Sequence, residues 1–341
     1  MRRPCAGALA LLLVAGAGSS DDLFELKKVR EGVWAAIALS QPVINCNAAV
    51  IVLDDGVLVV DSHSKPSAAR ALIAQIRTIT DKPVRFVVNT HFHWDHYQGN
   101  EAYPRAWPAG VEVIASGATR EAIETRGIPR VKKEILSVPR EIERLRASLA
   151  QAASEADRQR VGEEIRAREA YLAELRAMQV TLPSMTFDRS LVLHRPSRTV
   201  QILWLGKGHT DGDVVVYLPQ DKVIATGDLL HGWMPYMADS HPYDWIRTLE
   251  SAAALDFDDV IAGHGDVMHG KETFGMWTRY FRDLLREAGE AYARGETRVE
   301  ARVSVAAALR PAYAAAFGSR FDESINGNVD KAYRVVGGTM E

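Results

Sequence analysis

Histidine and aspartate are concentrated in one short segment of the chain, Thr90–His96, which reads Thr-His-Phe-His-Trp-Asp-His. Packing in a hydrophobic core gives no reason for a His-x-His-x-Asp-His spacing. Neutral imidazoles together with a carboxylate are donors that suit zinc. We therefore expect this segment to bind a metal ion rather than to form an ordinary polar loop. The candidate ligands in it are His91, His93, Asp95 and His96.

Three further candidate ligands follow later in the chain, and each stands beside glycine. His209 lies in the sequence Gly-Lys-Gly-His-Thr-Asp-Gly-Asp, Asp228 follows Thr-Gly, and His264 stands between two glycines. Glycine lets the backbone turn tightly and expose the neighbouring side chain. Any one of these residues alone would be an ordinary loop residue. Together with the first segment they form a constellation that predicts a metal site.

Each candidate ligand follows an apolar run that predicts a β-strand. These runs are Val84–Asn89, Thr199–Leu205, Lys222–Thr226 and Asp259–Ala262. Earlier in the chain, the sequence Asp-Asp-Gly predicts a hairpin turn between two strands, and Pro66 opens a helical pattern that continues to Ile79. Alternation of strands and helices predicts an α/β fold whose strand ends carry the ligands.

Two other regions have helical periodicity without chemically suggestive residues. From Arg140 to Met178, apolar residues recur every three or four positions beside a charged face. We expect an antiparallel helical hairpin here, inserted at about 139–179, which acts as a scaffold or as a homo-oligomer contact. A helical extension is expected at about 296–341. Residues 20–341 are expected to form one domain.

The N-terminus has the layout of a secretory signal peptide, predicted over residues 1–19. Two arginines precede a short apolar run and then small residues. The protein is therefore expected to be exported, periplasmic or secreted, without a transmembrane anchor after cleavage. Cleavage would remove Cys5 and leave Cys46 alone, so no intramolecular disulfide forms. We interpret Cys46 as a buried structural thiol.

The overall composition excludes several classes of protein. The 341 residues are 47% hydrophobic and carry a formal net charge of −3. Such a chain is globular rather than disordered. The near-neutral balance, without a long basic run, argues against nucleic acid as a partner. The expected partner is a small-molecule substrate.

The ordered blocks described above resemble those of the metallo-β-lactamase superfamily, from about Val29 to Met268 without the helical insert. The resemblance implies an αββα sandwich with two zinc ions at one edge. It implies that His91, His93 and His209 bind the first ion, that Asp95, His96 and His264 bind the second, and that Asp228 bridges them. Asp61 matches an early aspartate that supports the ligands rather than binding metal.

The resemblance also implies a zinc-dependent hydrolase, in which water activated by the two ions attacks a carbonyl of a lactam, lactone or (thio)ester. Asp95 is the candidate catalytic residue, because a metal-binding carboxylate could also accept a hydrogen bond from the nucleophile. An irregular stretch after Asp228 is a candidate substrate loop, in which the candidate residues are His231, Trp233, Tyr236 and His241.

Several alternatives stay open at this point. A β-lactamase proper is one, although a bridging aspartate is more typical of glyoxalase II, lactonase and phosphodiesterase members. A phosphodiesterase is another, and no basic cluster near the motifs favours it. A third is a non-catalytic metal-binding or partner-binding periplasmic protein that uses the helical insert as its contact surface.

Overall fold

The structure is a computed structural model that describes residues 23–108 and 110–338. The predicted signal peptide at residues 1–19 lies outside these described residues. Within them, none of the helices combines the length and the apolar character that crossing a bilayer requires.

The first of two sheets has seven strands, which lie in chain order. They are β1 (Phe24–Arg30), β2 (Val33–Ala38), β3 (Ala48–Val52), β4 (Val57–Val60), β5 (Val84–Val88), β6 (Glu112–Ser116) and β7 (Met185–Phe187). Strands β1 to β4 are antiparallel, and β4 to β7 are parallel. The predicted hairpin turn joins β3 to β4, where the Leu53 amide donates to the Gly56 carbonyl at 2.8 Å. Because β4, β5 and β6 are parallel, their carboxyl ends meet at one edge.

The second sheet has six strands in the order β13-β12-β11-β10-β9-β8. They are β8 (Ser190–His194), β9 (Thr199–Leu203), β10 (Val215–Leu218), β11 (Val223–Gly227), β12 (Asp259–Ala262) and β13 (Met268–His269). All pairs are antiparallel except β11 with β12. Because β11 and β12 are parallel, their carboxyl ends also meet at one edge of the sheet. Candidate ligands follow both of these strand ends.

Helices cover the outer faces of both sheets. They are α1 (Pro66–Ile79), α2 (Trp94–Tyr97), α3 (Ala102–Ala106), α4 (Gly117–Ala122), α5 (Ile128–Ala150), α6 (Glu155–Ala177), α7 (Pro242–Ala253), α8 (Glu272–Ala293), α9 (Arg298–Phe317) and α10 (Ser319–Val336). A π-helical turn, Ile123–Gly127, joins α4 to α5. Proline at the first position of α1 supplies a backbone angle that suits a helix start.

Three apolar clusters hold the layers together. One lies between the sheets, where valines and isoleucines of both pack face to face. A second lies between the first sheet and α1 and α3. The third lies between the second sheet and α7 to α10, with Trp245, Trp277 and Phe281 almost fully buried. This layering confirms the predicted αββα sandwich, in which the C-terminal helices cover one outer face.

The helical hairpin consists of α5 and α6, which pack through their own apolar cluster around Val138, Ile142 and Ile165. Ser154 begins α6 as its N-cap, because its hydroxyl accepts from the Asp157 amide at 3.1 Å. The helical region does not begin near 139: Pro139 lies inside α5, which starts at Ile128. A proline within a helix removes one hydrogen bond but does not necessarily end the helix. Association of two copies through this hairpin stays a prediction.

Candidate metal centre

Loops that leave the strand ends carry the predicted ligands. His91 and His93 lie between β5 and α2, whereas Asp95 and His96 lie on α2 itself. His209 follows β9, Asp228 follows β11, and His264 follows β12. The structure brings all seven side chains together at one edge of the sandwich, where they form two clusters.

The first cluster comprises His91, His93, His209 and Asp228, whose ligand atoms all lie within 4.8 Å of one another. His91, His209 and Asp228 are buried, and His93 is half-buried. The ring nitrogens His93 Nδ1 and His209 Nε2 are 2.8 Å apart. Which of these two nitrogens carry protons and which carry lone pairs decides whether the cluster fits a metal ion.

The outer nitrogens of these two rings face hydrogen-bond acceptors. His209 Nδ1 donates to the carbonyl oxygen of Tyr236 at 3.0 Å, and His93 Nε2 donates to Asp239 Oδ2 at 2.9 Å. When both rings are neutral, these bonds place the ring protons on the outer nitrogens, and the inner nitrogens carry lone pairs. Two lone pairs that face each other at 2.8 Å repel, and a cation bound by both relieves the repulsion. The first cluster therefore fits a metal ion.

His91 is held in the same way by a short relay. Its Nδ1 lies 3.1 Å from Thr90 Oγ1, which donates in turn to Asp61 Oδ2 at 2.9 Å. The hydroxyl therefore accepts from His91 Nδ1, and His91 Nε2 faces the site. That nitrogen is buried and has no hydrogen-bond partner among the described residues.

The second cluster comprises Asp95, His96 and His264, all buried. His264 Nε2 lies 3.2 Å from Asp95 Oδ2, and His96 Nε2 lies 3.6 Å from the same oxygen. His96 Nδ1 donates to Asp61 Oδ2 at 2.8 Å, which leaves the Nε2 lone pair for a metal ion. Two imidazoles and a carboxylate are a donor set that suits zinc.

Asp228 lies between the two clusters. Its Oδ2 is 3.7 Å from His209 Nε2 and 3.5 Å from His264 Nε2, and its Oδ1 is 3.4 Å from His96 Nε2. The backbone of Gly263 approaches so closely that a Cβ there would lie 2.0 Å from Asp228 Oδ1. Glycine at that position is therefore required for the carboxylate to lie where both clusters meet.

Asp61 supports the ligands from beneath. Its carboxylate accepts from the Thr90 amide at 2.8 Å, from the Thr90 hydroxyl and from His96. Asp61 adopts a φ of 63°, a left-handed conformation that costs on the order of 1–3 kcal/mol for a residue other than glycine. Its three buried hydrogen bonds offset that strain.

Electrostatics distinguish the two clusters further. Burial holds the pKa values of His91 and His209 well below their ordinary value, so these rings are neutral. Burial also opposes protonation of His264, but the carboxylates of Asp228 and Asp95 raise its pKa to about 9. A cation in the second cluster would take the place of that proton.

A cavity of about 850 Å³ opens onto both clusters. Its apolar and aromatic walls include Ile44, Phe92, Trp94, Trp233, Met234 and Tyr236, and its rim carries Arg126, Arg130, Lys133 and Arg320. His231, Trp233 and Tyr236 of the predicted substrate loop lie in this lining. The inclusion of His241 has to be corrected. His241 is not among the lining residues, and its Nε2 lies 3.0 Å from Asp211 Oδ1.

Asp239 and the four cations at the cavity rim are not among the residues that the sequence predicts for the site. Asp239 bonds His93 on one side and Arg126 on the other. It stands in an irregular segment, and no spacing pattern in the sequence singles it out. Arg126, Arg130 and Lys133 lie on the π-helical turn and α5, and only the packing of these helices shows that they face the metal clusters.

Cys46 is fully buried and lies beneath the second cluster, with its Sγ 3.8 Å from His63 Nδ1. Burial raises the pKa of the Cys46 thiol to about 12, so the group stays protonated. A protonated thiol is a poor metal ligand. Cys46 is buried as predicted, and its Sγ lies within 4.8 Å of ligand atoms of Asp61 and His96, so its purely structural role stays a prediction.

The family model of the metallo-beta-lactamase superfamily matches residues 42–264, and the chain belongs to that superfamily. A linear primary-alkylsulfatase from Pseudomonas sp. is 28% identical over 241 residues, which are 68% of this chain and 43% of the sulfatase. A metallo-beta-lactamase type 2 from Bacillus cereus is 31% identical over 74 residues, or 20% of this chain and 29% of that protein. The chain thus spans less than half the length of either curated relative.

Solved structures share the fold. A metallo-beta-lactamase from Pontibacter korlensis superposes with a TM-score of 0.55 at 18% identity, covering 76% of this chain and 99% of that one. A metallo-beta-lactamase from Pseudomonas aeruginosa in its mono-zinc form gives 0.54 at 16% identity, covering 76% and 95%. The predicted family is confirmed. Family and ligand clusters together support a metal-dependent hydrolase as the class of protein.

Proposed function

We propose that the protein is a zinc-dependent hydrolase that binds two zinc ions and cleaves a lactam, lactone or (thio)ester. The observation that carries this proposal is the convergence of inner ring nitrogens, above all His93 Nδ1 and His209 Nε2 at 2.8 Å. A structural zinc site has four protein ligands and is closed, whereas a catalytic site keeps a position for water or substrate. These clusters open onto a large cavity.

The residues of the site have different roles in this proposal. His91, His93 and His209 hold the first ion, Asp95, His96 and His264 hold the second, and Asp228 binds both. When bound, two zinc ions lower the pKa of water and polarise the oxygen of the bond under attack. Asp95, whose Oδ2 lies 3.2 Å from His264 Nε2, orients the attacking water by accepting its hydrogen bond.

The cavity favours a substrate that is partly apolar and carries an anionic group. Three arginines at its rim lie over aromatic rings: Arg126 over Phe92, Arg130 over Trp94 and Arg320 over Trp233. Each of these arginines also has an acidic partner. Lys133, by contrast, has no acidic partner among the described residues, so its charge is available to a bound anion.

A sulfate ester is a second candidate substrate, favoured by two observations. The relative from Pseudomonas sp. is described as a linear primary-alkylsulfatase. The cationic rim and apolar walls also suit an anionic head group on an alkyl chain. A phosphodiester is a further candidate substrate, because its negative charge also suits the cationic rim. The predicted export of the protein remains part of the proposal and is tested by the N-terminus of the mature chain.

The experiment is a substrate panel with the zinc-loaded full chain. The panel contains a cephalosporin, a penicillin, a carbapenem, an acyl-lactone, a glutathione thioester, a phosphodiester and a primary alkyl sulfate. We expect two zinc ions per chain and hydrolysis of a carbonyl substrate, and a His209→Ala variant should lose the zinc of the first cluster together with the hydrolysis. Cleavage of the alkyl sulfate alone would select the second candidate. Fewer than one zinc per chain would contradict the proposal and favour a non-catalytic role.

A further inference from the structure

The C-terminal helix α10 reaches the metal centre through the irregular segment that follows β11. We call residues 231–241 the active-site segment. Its backbone hydrogen bonds form no regular pattern: the Gly232 amide donates to the His264 carbonyl, the Ser240 amide and hydroxyl donate to the Met237 carbonyl, and the His241 amide donates to the Gly208 carbonyl. Without a regular helix or strand, such a segment needs side chains from elsewhere to fix its conformation.

Two buried polar residues of α10 supply these contacts. Asn328 is 3% exposed, and its Nδ2 donates to the Pro235 carbonyl at 2.9 Å and to the Tyr280 hydroxyl at 3.0 Å. Lys331 is 7% exposed, and its Nζ donates to the Ala238 carbonyl at 3.4 Å. Burial of an amide and an ammonium group is unfavourable unless both find hydrogen-bond partners. Here the partners are backbone carbonyls of the active-site segment.

Each anchored carbonyl immediately precedes a residue that holds a metal-binding histidine. Pro235 precedes Tyr236, whose carbonyl accepts from His209 Nδ1. Ala238 precedes Asp239, whose carboxylate accepts from His93 Nε2. Because a peptide unit is planar, fixing the carbonyl of one residue also fixes the amide nitrogen and Cα of the next.

We propose that α10 is a positioning element for the first metal cluster. Asn328 and Lys331 fix the active-site segment so that the Tyr236 carbonyl and the Asp239 carboxylate keep the inner nitrogens of His209 and His93 directed at the ion. The C-terminal extension then does more than cover the second sheet. This inference rests on the proposed metal site and adds a role for a helix beyond residues 42–264, the range that the family model matches.

The test compares zinc affinity among variants of the full chain, measured by competition with a chromophoric chelator. Partners that orient metal ligands affect metal affinity by about 10–100-fold, and these residues act one step further away. We therefore expect Asn328→Ala to weaken zinc binding in the first cluster by about tenfold and Lys331→Met to weaken it by a smaller factor. The visible spectrum of the Co²⁺-loaded protein should shift in both variants, because the directions of two imidazoles change.

Asp330→Asn is the matched control on the same helix. Asp330 pairs with Arg302 and Arg298 of α9 and has no hydrogen bond or ion pair with the active-site segment in the described structure. We expect this variant to lose some thermal stability but to keep the zinc affinity and the Co²⁺ spectrum. Circular dichroism of the metal-free proteins identifies any variant that fails to fold, and Lys331→Met then carries the test.

The outcomes separate the two proposals. Folded Asn328→Ala and Lys331→Met proteins with unchanged zinc affinity and Co²⁺ spectrum would overturn the role of α10. An equal loss of affinity in Asp330→Asn would also overturn it, because the effect would then be general destabilisation. If the unmodified chain binds no zinc, the proposed function itself fails, and the wild-type measurement shows this before any variant is considered.

Discussion

The two ligand clusters differ in how their outer nitrogens are held. In the first cluster every histidine has an acceptor behind it: the Thr90 hydroxyl for His91, the Asp239 carboxylate for His93 and the Tyr236 carbonyl for His209. Such partners fix the tautomer and the direction of the ring before a metal ion arrives. The first cluster is therefore arranged in advance for its ion.

The second cluster is only partly supported. Asp61 holds His96 at 2.8 Å, whereas His264 Nδ1 is buried without a hydrogen-bond partner in the described part of the chain. Its Nε2 instead faces Asp95 and Asp228. The ligands of the two clusters are therefore held to different degrees, and we expect the first cluster to bind zinc more tightly than the second.

The largest expected effect comes from removing a ligand of either cluster. His209→Ala should lose the tighter zinc, whereas His264→Ala should keep it and lose only the weaker one. Loss of the first ion removes several kcal/mol of transition-state stabilisation, which is about a thousandfold or more in kcat. Zinc per chain, measured by elemental analysis after dialysis, and kcat on the panel substrate check this. Retention of one tight zinc by His209→Ala but not by His264→Ala would reverse the assignment.

The next effect comes from the acceptors behind the rings. Asp239→Ala frees the His93 tautomer and should weaken the first zinc by about 10–100-fold. Asp61→Asn presents an amide to His96 and should weaken chiefly the second zinc by a similar factor. Asparagine is chosen because it tolerates the left-handed φ of residue 61. Stepwise zinc titration of each variant measures the affinities of the first and the second cluster separately. If each variant lost affinity equally at the two clusters, the proposed difference between the clusters would be wrong.

These acceptors also mark the limit of prediction from sequence. The seven ligands could be predicted because each follows an apolar strand, stands in a short motif and combines with the others into one donor set. Asp239 could not be predicted, since it contacts a histidine 146 residues away and lies in a segment without periodicity. The position of α5 explains a further omission, because Lys133 looks like any exposed lysine until the helix is packed against the cavity.

In the fold, too, some elements can be predicted from the sequence and others cannot. Buried strands such as β3 and β4 are continuous apolar runs that can be recognised locally. Strand β1 has the sequence Phe-Glu-Leu-Lys-Lys-Val-Arg, and its charged side chains hide the strand pattern. It lies at the sheet edge and is stabilised by pairing with β2, which is a tertiary property.

A smaller effect is expected from Arg126, which pairs with Asp239 on the side away from His93. Arg126→Gln removes a charge that helps to hold this carboxylate in place. The arginine side chain is 48% exposed, so we expect the affinity for the first zinc to fall by only about two- to fivefold. Arg130→Gln is the control, because Arg130 lies nearby and pairs with Glu134 instead. An equal loss in the control would indicate a general electrostatic effect rather than support of His93.

The smallest effect is expected at the rim of the cavity onto which both clusters open. Lys133→Ala should raise the inhibition constant of n-octanesulfonate, measured on the panel substrate, by about twofold, because an exposed ion pair contributes little. Neutral octanamide should inhibit both proteins equally. Lys132→Ala is the matched control, since Lys132 is also exposed but is not part of the cavity lining. If the two lysine variants respond alike, or if octanamide is affected as strongly as the sulfonate, Lys133 does not bind the anionic group and the apolar walls alone select the substrate.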